Sequence, residues 1–175
     1  MIDAATAALR ELTGGLVVSC QARPDNPFHG PEMMARMAEA AVRGGAIGIR
    51  ANGATDITAI RSVVSVPIIG IAKVTDTAGN VTITPTPEAA RSVIASGAQL
   101  VAFDGTPRPR ADNASVAAVI AAIHAAGGIA LADVATLEGG LFAESCGADA
   151  VGTTLSGYAT DSPRHDEPDF RLLQA

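Results

Sequence analysis

Lysine is almost missing from this chain. Of its 12 basic residues, 11 are arginine and one, Lys73, is lysine. Tryptophan is absent and aromatic residues make up 3% of the 175 positions, which excludes the ring-rich platforms on which single-stranded nucleic acids stack. Positive charge is also in short supply. Acidic residues outnumber basic ones 18 to 12, giving a net charge of −6 and an isoelectric point near 4.9, the wrong sign for a general nucleic-acid binder. The two cysteines, Cys20 and Cys146, lie in apolar segments; a disulfide framework is excluded and a cytoplasmic protein with reduced thiols is expected. No apolar run reaches the roughly 18–20 residues of a membrane span. The opening MIDAATAALREL lacks the basic and apolar regions of a signal peptide. No Cys/His spacing suits zinc, and no metal is expected.

What is present is a folded-domain composition, 48% hydrophobic and 17% charged, with a repeating order. Short, nearly continuous apolar runs occur at 16–22 (LVVSCQA), 46–51 (AIGIRA), 67–74 (PIIGIAKV), 99–106 (QLVAFDGT), 128–135 (GIALADVA) and 149–154 (DAVGTT). Such runs read as parallel strands buried on both faces. Between them, helices are predicted at about 31–44, 54–64, 86–97, 114–126 and 136–146. Pro31 and Pro87 suit first turns, Thr86 and Thr136 suit N-caps beside acids, and glycines follow the helix ends. The βα alternation predicts an α/β protein with a parallel sheet. A (β/α)₈ TIM barrel competes with an open doubly wound sheet. The absence of G-x-G-x-x-G and of G-x-x-x-x-G-K-[ST] weakens the second.

The strand ends favour the barrel. The six runs end at Gln21, Arg50, Lys73, Asp104, Asp133 and Thr153, and in a barrel such ends converge on one mouth where active sites lie. The count stops at six βα units, with PDFRLLQA (168–175) opening a further helix, whereas a full barrel needs roughly 200–250 residues. The expectation is therefore one barrel-type domain over 1–175 without its last two units.

Chemistry points first to Lys73. An amine beside apolar walls is desolvated, which lowers its pKa, and a neutral lysine can move protons or form a Schiff base. Asp104, after a wholly apolar run, suits either sugar hydroxyls, orientation of Lys73 or capping of its own loop. Asp133 leans toward a structural role beside the next helix start. Arg50 suits an oxyanion or hydroxyl, or an internal salt bridge to a strand-end aspartate. Gln21 suits a polar substrate or a satisfied amide at the mouth, and Cys20 should face the other side of its strand, into the core. TPRPR (106–110) makes a rigid, positive loop that reaches an anion or solvent. None of His29, His124 or His165 has a partner for a catalytic triad.

Taken together, LVVSCQA, AIGIRAN, PIIGIAK followed by ITPT, AFDGTPRPR, ALADVATLE and GADAVGTTLSGY resemble the N-acetylmannosamine-6-phosphate 2-epimerase family, in order and over about residues 12–170. The resemblance implies a barrel, usually dimeric, that interconverts N-acetylmannosamine 6-phosphate and N-acetylglucosamine 6-phosphate in sialic acid breakdown, with no redox cofactor or metal. It implies that Lys73 is one of two groups that exchange the proton at C2 of the opened sugar. It implies that Gln21, Arg50 and Asp104 hold or orient the sugar, with Arg108 in the matching loop. The family's second acid/base, a glutamate on the seventh strand, has no counterpart in the six units counted. The alternative expectation is an impaired barrel that binds a sugar phosphate or only associates.

Overall fold

In a computed structural model, the structure describes residues 4–75, 81–110, 113–159, 162, 164 and 167–175. His165 lies outside them. Six parallel strands form one sheet: β1 (Val17–Cys20), β2 (Gly48–Asn52), β3 (Ile68–Ile71), β6 (Leu100–Asp104), β7 (Ile129–Asp133) and β8 (Ala150–Gly152). Their order is β1-β2-β3-β6-β7-β8. The order never reverses, as it would in a doubly wound sheet. Between β3 and β6 the chain makes a small antiparallel ribbon, β4 (Lys73–Thr75) with β5 (Val81–Ile83).

The helices between strands are α2 (Pro31–Arg43), α3 (Ala54–Arg61), α4 (Pro87–Ala95), α5 (Val116–Ala125) and α6 (Leu137–Ser145). Three begin with hydroxyl caps: Thr86, Ser115 and Thr136 each accept the N–H three residues on, at 3.1 Å. Two further helices, α1 (Ala4–Glu11) and α7 (Phe170–Gln174), flank the repeat. Each predicted strand and helix of the repeat is present within a few residues, with one break. The run at 67–74 is two strands, because β3 ends at Ile71 and Lys73 starts the ribbon.

Alternation along the strands divides the apolar residues into two cores. Cys20, Ile49, Ala51, Ile68, Val101, Phe103, Ala130 and Ala132 pack under the helices with Met34, Ile57, Val93 and Ile123. Gly70 lies there too, where a Cβ would stand 2.4 Å from Val93 of α4. The residues between them, Ile69, Ile71, Leu100, Ala102 and Ile129, face a second core with Ile83, Leu155 and Ala8 of α1. A flat sheet covered by helices on one side would leave that second face open. Here the sheet curls round it, and α1 with Leu12 closes one end. The fold is of (β/α)₈ type, with six parallel strands in the described residues.

Candidate active site

The polar ends of the strands gather at the end of the inner core opposite α1. Arg50, from β2, points across it and meets Asp133, the last residue of β7. Arg50 Nη1 donates to Asp133 Oδ1 at 3.1 Å and Nη2 to Oδ2 at 2.5 Å. Two strands, β3 and β6, separate β2 from β7 in the sheet, so only a curled sheet allows this bond. Asp133 is fully buried. Its cost of desolvation is met by a two-pronged guanidinium partner. The helix start that follows is capped by Thr136, as the sequence suggests, and Asp133 takes no part in it. The strand-end aspartate of a salt bridge to Arg50 is thus Asp133, and its role is at the mouth.

Asp104, beside Asp133 in register, spends its oxygens on its own loop. Oδ1 accepts the N–H of Thr106 at 3.0 Å and its hydroxyl at 2.6 Å. Oδ2 accepts Arg108 Nε at 2.5 Å, and a second Arg108 nitrogen reaches the same oxygen. Arg110, buried next to it, donates to the carbonyls of Asp104 and Thr106. Of the readings open for Asp104, the loop cap is the one its hydrogen bonds match, and no bond joins it to Lys73. TPRPR is an arginine-braced turn rather than a solvated arm.

Gln21 follows β1. Its Nε2 donates to Ser19 Oγ at 2.7 Å, and its Oε1 is buried without a partner among the described residues. A buried carbonyl without a donor is costly, so this atom has capacity for a donor from a ligand. A cleft of about 340 Å³ opens beside it, lined by His29, Asn52, Thr55 and Asp56 among others. Cys20 faces the helix-side core, as alternation requires, and its burial raises its thiol pKa. His124 meets Asp149 at 2.8 Å, and Asp149 also accepts the N–H of Ala130. That pair lies at the start of β7 and β8, away from the mouth.

Lys73 starts the ribbon two residues beyond β3. Its N–H donates to Asn52 Oδ1 at 2.8 Å. Its side chain is exposed near the Arg50–Asp133 pair, a clasp across the barrel, yet the surroundings hold its pKa below the ordinary lysine value. Partial burial counts most, then the positive charges of Arg50 and Arg23, while Asp133 opposes them. Arg23 and Asp133 were not predicted as site residues. Arg23 sits in a polar loop with no local signature, and Asp133 is 83 residues from the arginine it serves.

A barrel of this type, with a lysine of lowered pKa and a cross-barrel Arg–Asp pair at the C-terminal ends of its strands, is the architecture of a barrel enzyme working on a small polar substrate. The family can be stated more closely. The model of the family described as "Putative N-acetylmannosamine-6-phosphate epimerase" matches residues 34–175. A protein named "Putative N-acetylmannosamine-6-phosphate 2-epimerase" from Cutibacterium acnes is 45% identical over 168 residues, covering 95% of this chain and 72% of that protein. A protein of the same name from Clostridium perfringens is 44% identical over 161 residues, covering 92% and 73%. The solved structure of the N-acetylmannosamine-6-phosphate 2-epimerase from Clostridium perfringens superposes with a TM-score of 0.91 at 43% identity, covering 95% of this chain and 72% of that one. The chain belongs to the N-acetylmannosamine-6-phosphate epimerase family. Among the described residues no helix is long and apolar enough to cross a membrane.

Proposed function

We propose that this chain interconverts N-acetylmannosamine 6-phosphate and N-acetylglucosamine 6-phosphate by removing and returning the proton at C2, with Lys73 as an acid/base. The observation that carries this reading is the amine of the sole lysine standing at the mouth of a family barrel with a lowered pKa. Opening of the sugar places the C2 hydrogen next to an aldehyde, where it is acidic. A neutral amine takes it, and the charge left on the carbonyl oxygen needs a donor. Arg50, oriented by Asp133, offers a positive charge near that point. Gln21 Oε1 can accept a hydroxyl or amide N–H of the sugar. Asp104 and Arg108 act on the substrate through the loop they fold, with Arg108 the more exposed of the two. The 175 residues act as one domain on a small sugar phosphate, in the cytoplasm, as a homodimer. Exposed Val151, Leu137, Leu141 and Phe142 beside β8 give such an assembly apolar surface, and sedimentation would test it.

A second reading, a sugar-phosphate binder without turnover, draws on one observation. Asp104 and Asp133, the other strand-end acids, already have their oxygens engaged. Proton NMR of N-acetylmannosamine 6-phosphate in D₂O separates the two. Loss of the C2 proton signal with growth of the gluco epimer is the expected result. Deuterium exchange with no epimer means one working base, and no exchange in a folded sample removes the catalytic reading. In Lys73→Arg, turnover should vanish with the fold intact.

A further inference from the structure

The third strand breaks just before Lys73, and the residue that breaks it lies twelve positions past Ala72. We propose that Thr84 is a positioning residue for Lys73, clamping the backbone that carries the amine to the mouth. The proposal rests on the reading of Lys73 as the proton-transfer group.

Thr84 is fully buried and has φ of 43°. That left-handed region suits glycine or asparagine, and a β-branched residue there is a true outlier. Such strain persists where surrounding bonds over-determine it, and it gathers at functional sites. The bonds are present. The Thr84 N–H donates to the carbonyl of Ala72 at 2.7 Å. Its hydroxyl accepts the Ala72 N–H at 3.0 Å and donates to the carbonyl of Ala102 at 2.7 Å. Both polar groups of the residue before Lys73 are therefore held by one threonine.

The placement explains the break. The β3–β6 ladder runs through Ile69↔Leu100 and Gly70↔Val101 and then stops. One residue further on, the carbonyl of Ala102 meets the Thr84 hydroxyl in place of a strand N–H. The side chain thus ends the pairing and turns the chain off the sheet. On the other side, Asn52 at the end of β2 takes the Lys73 N–H. An uninterrupted β3 would leave the Lys73 N–H to ladder bonds rather than to Asn52. The clamped one starts it on the ribbon, where the charges of Arg50, Arg23 and Asp133 act on it.

Because the chain has one lysine, side-chain ¹⁵N labelling of lysine yields one Nζ signal, which reports Lys73 directly. The full-length chain is titrated as wild type, Thr84→Ser and Thr84→Val. Serine keeps the hydroxyl and should keep the Lys73 titration where it is. Valine keeps the shape and loses both hydroxyl bonds, and should move the titration up toward the ordinary value of about 10.4. With N-acetylmannosamine 6-phosphate, kcat should fall about 10²-fold in Thr84→Val with little change in KM, and recover in Thr84→Ser. If the valine variant does not fold, Thr84→Ala loses the same bonds with less crowding and carries the same expectation. A folded Thr84→Val or Thr84→Ala chain whose lysine titrates as in wild type overturns the proposal. A raised titration together with full turnover by Lys73→Arg leaves the clamp standing and removes the acid/base reading instead.

Discussion

The mouth holds two arginine–aspartate pairs that look equivalent in a contact map of charges and are built differently. Arg108–Asp104 is local, four residues apart, joining the end of β6 to the loop that follows it; its aspartate also takes two bonds from Thr106. Arg50–Asp133 spans 83 residues and the width of the inner core, and its aspartate relies on that single arginine. The first pair folds a turn. The second ties the curvature of the sheet to the site, and both of its charges act on Lys73. A charge pair informs about function according to what else it is coupled to, not according to its geometry alone.

The largest expected effect breaks the long-range pair from one side. Asp133→Ala leaves Arg50 facing a hole at the mouth, and Arg50→Ala leaves a buried carboxylate with no partner. Removing one partner of a buried pair costs about 3–5 kcal/mol, readable as a large drop in the urea midpoint. The double variant Arg50→Met/Asp133→Leu replaces both charges by apolar groups and should return most of that stability while remaining inactive. If the single variants lose less than about 1 kcal/mol, the clasp does not hold the sheet and the contrast with Asp104 collapses.

Next in size is the effect on Lys73. Its pKa is lowered, so the amine charges less readily in the folded chain than in the unfolded one. That penalty applies in full below the folded value and disappears above the ordinary value. Catalysis by the neutral amine should therefore rise with pH through a value below that of a free lysine. Arg50→Met removes a cation and should move this rise to higher pH. Asp133→Asn removes the opposing anion and should move it lower. Arg108→Ala should leave it in place. A shift in the last variant as large as in the first would mean that the two pairs are not separate electrically.

Much of this was legible along the chain. Buried parallel strands announce themselves as continuous apolar runs, and Thr86 and Thr136 advertise helix starts by chemistry that acts over three residues. The helix-side position of Cys20 follows from alternation. Illegible features depend on partners distant in sequence. Neither proline nor glycine stands between Ile71 and Val74, so nothing in IIGIAKV marks the break that Thr84 imposes from twelve residues away. Asp133 looks like a helix neighbour until the sheet curls Arg50 onto it. Helix α1 was not predicted, although its alanine-rich AATAALRE is followed by the helix-stopping Gly14 and Gly15; Ala8, with Leu12 just beyond the helix, packs into the inner core. Asp104 was evenly divided between roles, and its oxygens are engaged by Thr106 and Arg108 of its own loop.

The smallest expected effect tests the local pair. Arg108 is one-third exposed and sits four residues from its partner, so water and salt screen its attraction, and pairs of this kind contribute about 0–1 kcal/mol. Asp104 without Arg108 still accepts both Thr106 bonds, whereas Asp133 without Arg50 has nothing comparable. Arg108→Ala should therefore cost less than about 1 kcal/mol in urea unfolding, and the cost should shrink in high salt. Asp104→Ala should cost more than Arg108→Ala, because it strands both Thr106 donors as well as Arg108, while the Arg110 bonds to the carbonyls of residues 104 and 106 remain. Equal costs for the two would mean that the aspartate serves only its arginine, making this pair a smaller copy of the cross-barrel clasp.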